Sequence, residues 1–221
     1  MASIQIAGMG RTVQKFNLRE VRNTAPPREP DLPLLDLDDL RPCMAFRNLR
    51  RMNLDLRRDV DLSDDALLAL ASAWPRIEEL LINANWGWSR PGGITPDGLA
   101  LLLQTCPSLT SIALAIDTRE YTQIPARRFR EPPNASSFAR QFHINVLDSI
   151  IEEESVDAMA VFLPSIVPHS DFILTAWETW SVMEHPDLDL YSTRWESVHS
   201  QANEAIKKQG LDIHQELSLQ A

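Results

Sequence analysis

Three stretches of this chain carry one apolar spacing, and an internal repeat constrains a fold before local propensity does. Residues 46–54 read FRNLRRMNL, residues 74–82 read WPRIEELLI and residues 106–114 read CPSLTSIAL. All three fit bulky-x-x-L-x-x-L-x-L, where L is any aliphatic residue. Weaker copies follow at Ile144-Asn145-Val146 and Ile173-Leu174-Thr175. The second aliphatic position gives Met52, Leu80, Ile112, Ile144 and Ile173, at spacings of 28, 32, 32 and 29 residues.

The L-x-L end of each unit alternates as a short strand with one buried face. One such strand cannot bury that face alone, so successive copies must stack on a shared core. Parallel stacking needs crossovers, and helical patterns fill the intervals. Residues 63–73, SDDALLALASA, open on a serine N-cap and two acids suited to the positive end of a helix dipole. In residues 95–104, TPDGLALLLQ, Thr95 is the cap and Pro96 the first helical position. Ser155 to Leu163 supply a third helix.

Toward the C-terminus the pattern thins. The first aliphatic position runs Leu49, Ile77, Leu109, Gln141, Ser170, and the third runs Leu54, Ile82, Leu114, Val146, Thr175. Residues 118–141 hold Pro132-Pro133 and no apolar period, so an inserted loop replaces the expected helix. Residues 192–209 read as a terminal helix with Trp195, Val198, Ala202 and Ala205 on one face and Gly210 as its stop. The expected layout is a solenoid over 1–191, with an irregular N-terminal edge at 1–31, then a capping helix and tail over 192–221. Ile4 and Ile6 read as an incoming repeat strand.

The motif LxxLxLxxN fits Ile77, Leu80, Ile82 and Asn85, with Asn85 where a side chain caps backbone between turns. Asp117 takes that place in the next copy, whereas Arg57 is unsuited. On these residues the chain resembles a leucine-rich repeat. LSDDALLALASAWPRIEELLI and ITPDGLALLLQTCPSLTSIAL look like the longer repeats of F-box/leucine-rich-repeat proteins. The F/W/C-x-x-L units, the acidic Ile151-Glu152-Glu153-Glu154 and the late Tyr191-x-x-x-Trp195 resemble C-terminal regions of fungal F-box proteins. The resemblance covers residues 32–200. It implies an α/β leucine-rich-repeat solenoid, right-handed, with short parallel strands on the concave side, helices on the convex side and a C-terminal cap. It also implies a substrate-recognition role in a cullin-type ubiquitin ligase. An F-box is an N-terminal helical module for which residues 1–31 leave no room, so contact with a cullin-ligase adaptor is expected only if an F-box lies upstream.

The net charge of −10 is local. Residues 1–140 hold 18 Lys/Arg against 17 Asp/Glu, whereas residues 141–200 hold only Arg194 against 11 acids. Such a balance excludes a general nucleic-acid binder, which must neutralise phosphates. No apolar run approaches the ~20 residues that span a bilayer. The N-terminus lacks a basic-then-apolar leader, so a cytoplasmic or nuclear compartment and reduced Cys43 and Cys106 are expected.

Catalytic signatures are missing from the pattern. His143, His169, His185, His199 and His214 form no metal-ligand spacing, and no G-x-S-x-G or phosphate loop occurs. Gly92-Gly93 reads as a turn. Glu152, Glu153 and Glu154 are either paired carboxylates or the charged start of a helix, the second being preferred. Arg127, Arg128 and Arg130 either grip an acidic partner or stay solvated. Neither enzyme activity nor a cofactor or metal is expected.

Two features suit a protein or peptide partner. Trp86-Gly87-Trp88 follows a strand, where the tryptophans serve as interface anchors or fold back over the core edge. Trp177 and Trp180 are expected to pack on the terminal helix. The second feature is the set of strand residues flanking the buried aliphatics. One column runs Arg51, Glu79, Ser111, His143, Asp171, the next Asn53, Leu81, Ala113, Asn145, Leu174, and the third Asp55, Asn83, Ala115, Leu147, Ala176. The expected role is a monomeric, non-enzymatic binding domain that uses this concave face. The alternative is a truncated paralogue or structural remnant without its own binding function.

Overall fold

Each L-x-L unit forms a short strand in the computed structural model, which describes residues 12–20, 33–89, 92–122, 141–167, 172–179, 182–183 and 185–219, with side chains to 208. The elements are β1 (Lys15–Arg19), α1 (Leu37–Leu40) with a following 3-10 turn (Arg41–Ala45), β2 (Arg51–Asp55), α2 (Asp64–Ala73), β3 (Glu79–Ile82), α3 (Pro96–Thr105), β4 (Ser111–Ala113), β5 (Phe142–Asn145), α4 (Glu153–Ile166), β6 (Phe172–Thr175) and α5 (Leu188–Leu219). Among the described residues the strands make one six-stranded sheet, parallel throughout, in the order of the chain. Every crossover therefore advances the sheet by one place.

Register follows the repeat. Phe16, Met52, Leu80, Ile112, Ile144 and Leu174 stand side by side. The last of these corrects the expected column: Ile173 pairs with His143, and Leu174 faces inward at 8% exposure. Phe172-Ile173-Leu174 is uniformly apolar, so no alternation fixes its phase. A second correction concerns the irregular edge expected over 1–31, which contains β1. Its KFNLR alternates, and Phe16 meets Phe46 with ring centroids 6.0 Å apart. No bulky-x-x-L lead-in marks this strand, and Phe16 lies 36 residues before Met52. Ile4 and Ile6 lie outside the described residues.

Period-two burial shows which face carries the core. Met52, Leu54, Leu80, Ile82, Ile112, Leu114, Ile144 and Val146 are all buried, while Arg51, Asn53, Glu79 and Leu81 between them are not. Each such aliphatic contributes about 1.5–3 kcal/mol on burial. The helices start as their sequences predict. Ser63 Oγ accepts from Ala66 N at 3.3 Å, and Thr95 Oγ1 accepts from Gly98 N at 3.2 Å. Asp64 ties the two starts together, accepting from Thr95 N at 2.8 Å and Thr95 Oγ1 at 2.7 Å. Helix α3 packs on α2, and α5 packs on α4 and β6.

At the C-terminal end, α4 begins at Glu153, so Glu152, Glu153 and Glu154 form its acidic start. Arg194 of α5 meets Glu152 at 3.3 Å and Glu153 at 3.1 Å and donates to the Ile151 carbonyl at 2.8 Å. Helix α5 starts at Leu188 and runs through Gly210 to Leu219, so Gly210 does not end it. One interior glycine costs about 1 kcal/mol, which a long helix tolerates. Residues 118–122 carry no helix, and residues 123–140 of the expected inserted loop, with Arg127, Arg128 and Arg130, lie outside the described residues.

Candidate functional site

The uncovered face of the sheet presents two rows of side chains. One runs Lys15, Arg51, Glu79, Ser111, His143, Ile173, and the other Asn17, Asn53, Leu81, Ala113, Asn145, Thr175. Ile173 and Thr175 stand where Asp171 and Leu174 were expected, two places and one place further along the chain; Asp171 itself lies outside the described residues. The first row is charged at one end, where Arg51 Nε lies 3.4 Å from Glu79 Oε1. His143 is exposed and Ser111 half-buried. In the second row Leu81 is half-buried, and Ala113, flanked by larger side chains, is only 1% exposed. The centre of the face is thus small and apolar, with polar groups around it.

The third expected column does not reach this face. Asn83, Leu147 and Trp177 follow the inward residues Leu80, Ile144 and Leu174 by three places, and their φ values are 55°, 53° and 59°. This left-handed turn carries their side chains inside: Asn83 and Leu147 are 0% exposed and Trp177 is 5%. Asn83 and Leu147 are therefore interior residues and not contacts for a partner. Asp55 and Ala115 are buried at the equivalent position.

Asn83 instead performs the between-turn capping expected of Asn85. Its Oδ1 accepts from Leu56 N at 2.9 Å, and its Nδ2 donates to the carbonyls of Arg58 at 2.8 Å and Gly87 at 3.4 Å. Asn85 binds the Asp55 carboxylate through its own N–H and its amide. Asn85 thus meets a side chain of the preceding turn and not its backbone, and the Asp117 side chain caps no backbone of another turn. Arg119 holds it within its own turn at 2.6 Å, and that hydrogen bond keeps the Asp117 carboxyl below its usual pKa range. Ser149 does the bridging there, accepting from Ile116 N at 2.8 Å and donating to the Val146 carbonyl.

The two tryptophans of the 86–88 loop separate. Trp88 is 0% exposed, its Nε1 donating to the Ile82 carbonyl at 2.9 Å, so it belongs to the core and is no interface anchor. Its backbone N–H at 2.9 Å and that of Ser89 at 2.6 Å both donate to Asp148, which fixes the loop. Trp86 is half-buried, with the Arg57 guanidinium 5.2 Å from its ring centroid. Trp177 stacks on Tyr191 of α5 at 4.8 Å, and both Trp177 and Trp195 donate to the Ser149 carbonyl, at 2.7 and 2.9 Å. Trp180 lies outside the described residues.

Arg51, Asn53, Glu79, Leu81, Ser111, Ala113, His143 and Asn145 therefore share one surface, with Trp86 on a loop beyond the strand ends. The second row ends in a cavity of about 170 Å³ beside Thr175, which the repeat pattern did not single out. Cys43 and Cys106 are buried thiols, and burial pushes Cys106 up to about 12. Among the described residues, no group of three His, Cys, Asp or Glu is placed to hold a metal ion. Among them too, no helix is long and apolar enough to cross a membrane. No protein-family model matches the chain, and no curated protein or solved structure matches it.

Proposed function

We propose that the chain is a leucine-rich-repeat solenoid that binds another protein through the open face of its sheet and catalyses no reaction. The observation that carries this reading is the pair of open-face rows, where half-buried Leu81 is an apolar centre rimmed by Arg51, Glu79, Ser111, His143 and Asn145. An apolar centre with a polar rim suits a protein surface, in which the core of the patch is depleted of charge. Strand order equal to chain order, and Asn83 bridging successive turns, support the repeat class. By its resemblance to F-box proteins, the domain would hold the substrate of a cullin-type ligase in the cytoplasm or nucleus, with adaptor contact requiring an F-box upstream.

The test compares proteins captured by the full chain with those captured by Leu81→Asp/His143→Glu and by Leu101→Asp. Leu101 lies on α3 and is 43% exposed, away from the sheet. The wild-type partner set is expected to survive Leu101→Asp and to be lost with the sheet variant, while all three give the same thermal melt. Identical capture by the three folded proteins would overturn the open face as the site.

One observation favours the second reading, a structural remnant without a partner. Leu18 has the inward register of Leu54 yet is 42% exposed, so the buried side of the sheet is poorly sealed at β1. A remnant would self-associate through that edge as concentration rises. A monodisperse monomer in light scattering, with one cooperative melt, excludes it.

A further inference from the structure

The cavity beside Thr175 continues the second row of the open face and differs from it in charge. It lies where the end of β6 meets α5, lined by Thr175, Glu178, Ser192, Glu196 and His199 among others, and measures about 170 Å³. That is many times the ~10–15 Å³ a single water needs. Its polar groups are nearly all acceptors or hydroxyls. Glu178 and Glu196 are both exposed carboxylates. His199 Nε2 lies 3.1 Å from the Phe172 carbonyl.

Among the described residues, no Lys or Arg forms an ion pair with either carboxylate. Arg194 is the sole Lys or Arg between residues 141 and 200, and it is already held by Glu152, Glu153 and the Ile151 carbonyl. Lys207 and Lys208 stand 11 and 12 residues beyond Glu196 on α5, about 16–18 Å along a helix. That exceeds the Debye length of about 8 Å at physiological salt. A cation entering the cavity therefore meets two carboxylates that no described Lys or Arg holds.

We infer that this cavity receives an arginine or lysine side chain of an extended peptide lying across the open face, with an apolar side chain of the same peptide on Leu81. The inference rests on the binding reading proposed above and names its partner chemistry. Geometry sets the spacing. Leu81 and Thr175 occupy the same row three strands apart, about 14 Å at ~4.8 Å per strand. An extended chain covers that distance in about four residues at ~3.3–3.6 Å each.

The test uses fluorescent peptides of serine and alanine carrying one leucine and one arginine two, four or seven residues apart, alongside the same peptides with neutral citrulline for arginine. Binding to the full chain is followed by polarisation. The four-residue arginine peptide is expected to bind about tenfold more tightly than its citrulline partner. Glu178→Gln/Glu196→Gln is expected to erase that preference while leaving the citrulline peptide unchanged. Leu81→Asp is expected to remove binding of both. Equal binding of arginine and citrulline peptides, or a preference that survives the glutamine pair, overturns the inference. If Leu81→Asp still abolishes binding in that case, the open-face reading stands without it. Absence of binding by every peptide up to about 1 mM also overturns the inference. The open face is then judged independently by the capture experiment.

Discussion

Asn83 shows how much one side chain can settle. A buried amide left without partners costs about 1–3 kcal/mol, and Asn83 satisfies two backbone groups of the preceding turn besides its own loop. Its φ of 55° adds a preference for Asn or Gly over other residues. Asn83→Ala is therefore expected to lower stability by about 3 kcal/mol in urea unfolding. Asn83→Gly, which keeps the backbone freedom, should recover about 1 kcal/mol of that loss. An equal loss in both would place the whole effect in the hydrogen bonds. No apolar pattern distinguishes Asn83 from Asn85. The same left-handed turn takes Leu147 inside, and backbone handedness leaves no mark in residue spacing.

Asp117 makes a pH prediction at the same scale. Its folded pKa lies below the unfolded value because of Arg119, so its contribution is present above the ordinary carboxylate range and is lost as pH falls through the lowered pKa. Arg119→Gln should raise the Asp117 midpoint seen by carboxyl carbon NMR and flatten this part of the acid limb. An unchanged midpoint would assign the shift to another cause. Cys43 and Cys106 are both buried, with burial raising each thiol, so neither is expected to react with a disulfide reagent at neutral pH before unfolding.

Among the elements, β2, β3 and β4 are fully legible because each combines the bulky lead-in with true alternation. Helices α2 and α3 announce themselves through Ser63, Thr95 and Pro96. Strand β6 is legible in place but not in phase, since Phe172-Ile173-Leu174 suits either face. Helix α5 is legible through Trp195, Val198 and Ala202, whereas Gly210 misleads, as a glycine stop works only where the chain turns left-handed. Trp195 is 1% exposed, and its indole shares the Ser149 carbonyl with Trp177. Trp195→Ala should cost about 3–5 kcal/mol and loosen α5 from α4 and β6. Loss of far-UV helicity at a lower temperature than loss of Trp88 burial would report that detachment.

For the whole molecule, charge and sheet run in the same direction. Lys15 and Arg51 lie near β1, while Glu178 and Glu196 lie beyond β6. A partner that engages the face should therefore associate more slowly as salt rises, because opposite ends steer opposite charges. A salt-independent association rate would confine the contact to the apolar centre. The eight open-face residues that do share a surface were readable because strand alternation alone places them. The cavity was not, since it joins residues of two elements whose approach no local pattern encodes.

Asp148 gives the sheet a longer memory than its topology suggests. A sheet laid down in chain order behaves like a row of dominoes, each strand coupled only to its neighbours. By gripping Trp88 N and Ser89 N, the turn after β5 reaches over β4 to the loop after β3. This adds a second-neighbour coupling at the place where the strand, Ser111–Ala113, is only three residues long. Fraying from the C-terminal side must release the strap before it can pass β4. Amide exchange at Trp88 and Ser89 should then track global opening in the native protein and become local in Asp148→Ala, with the shortest strand turning from a fastened segment into a hinge.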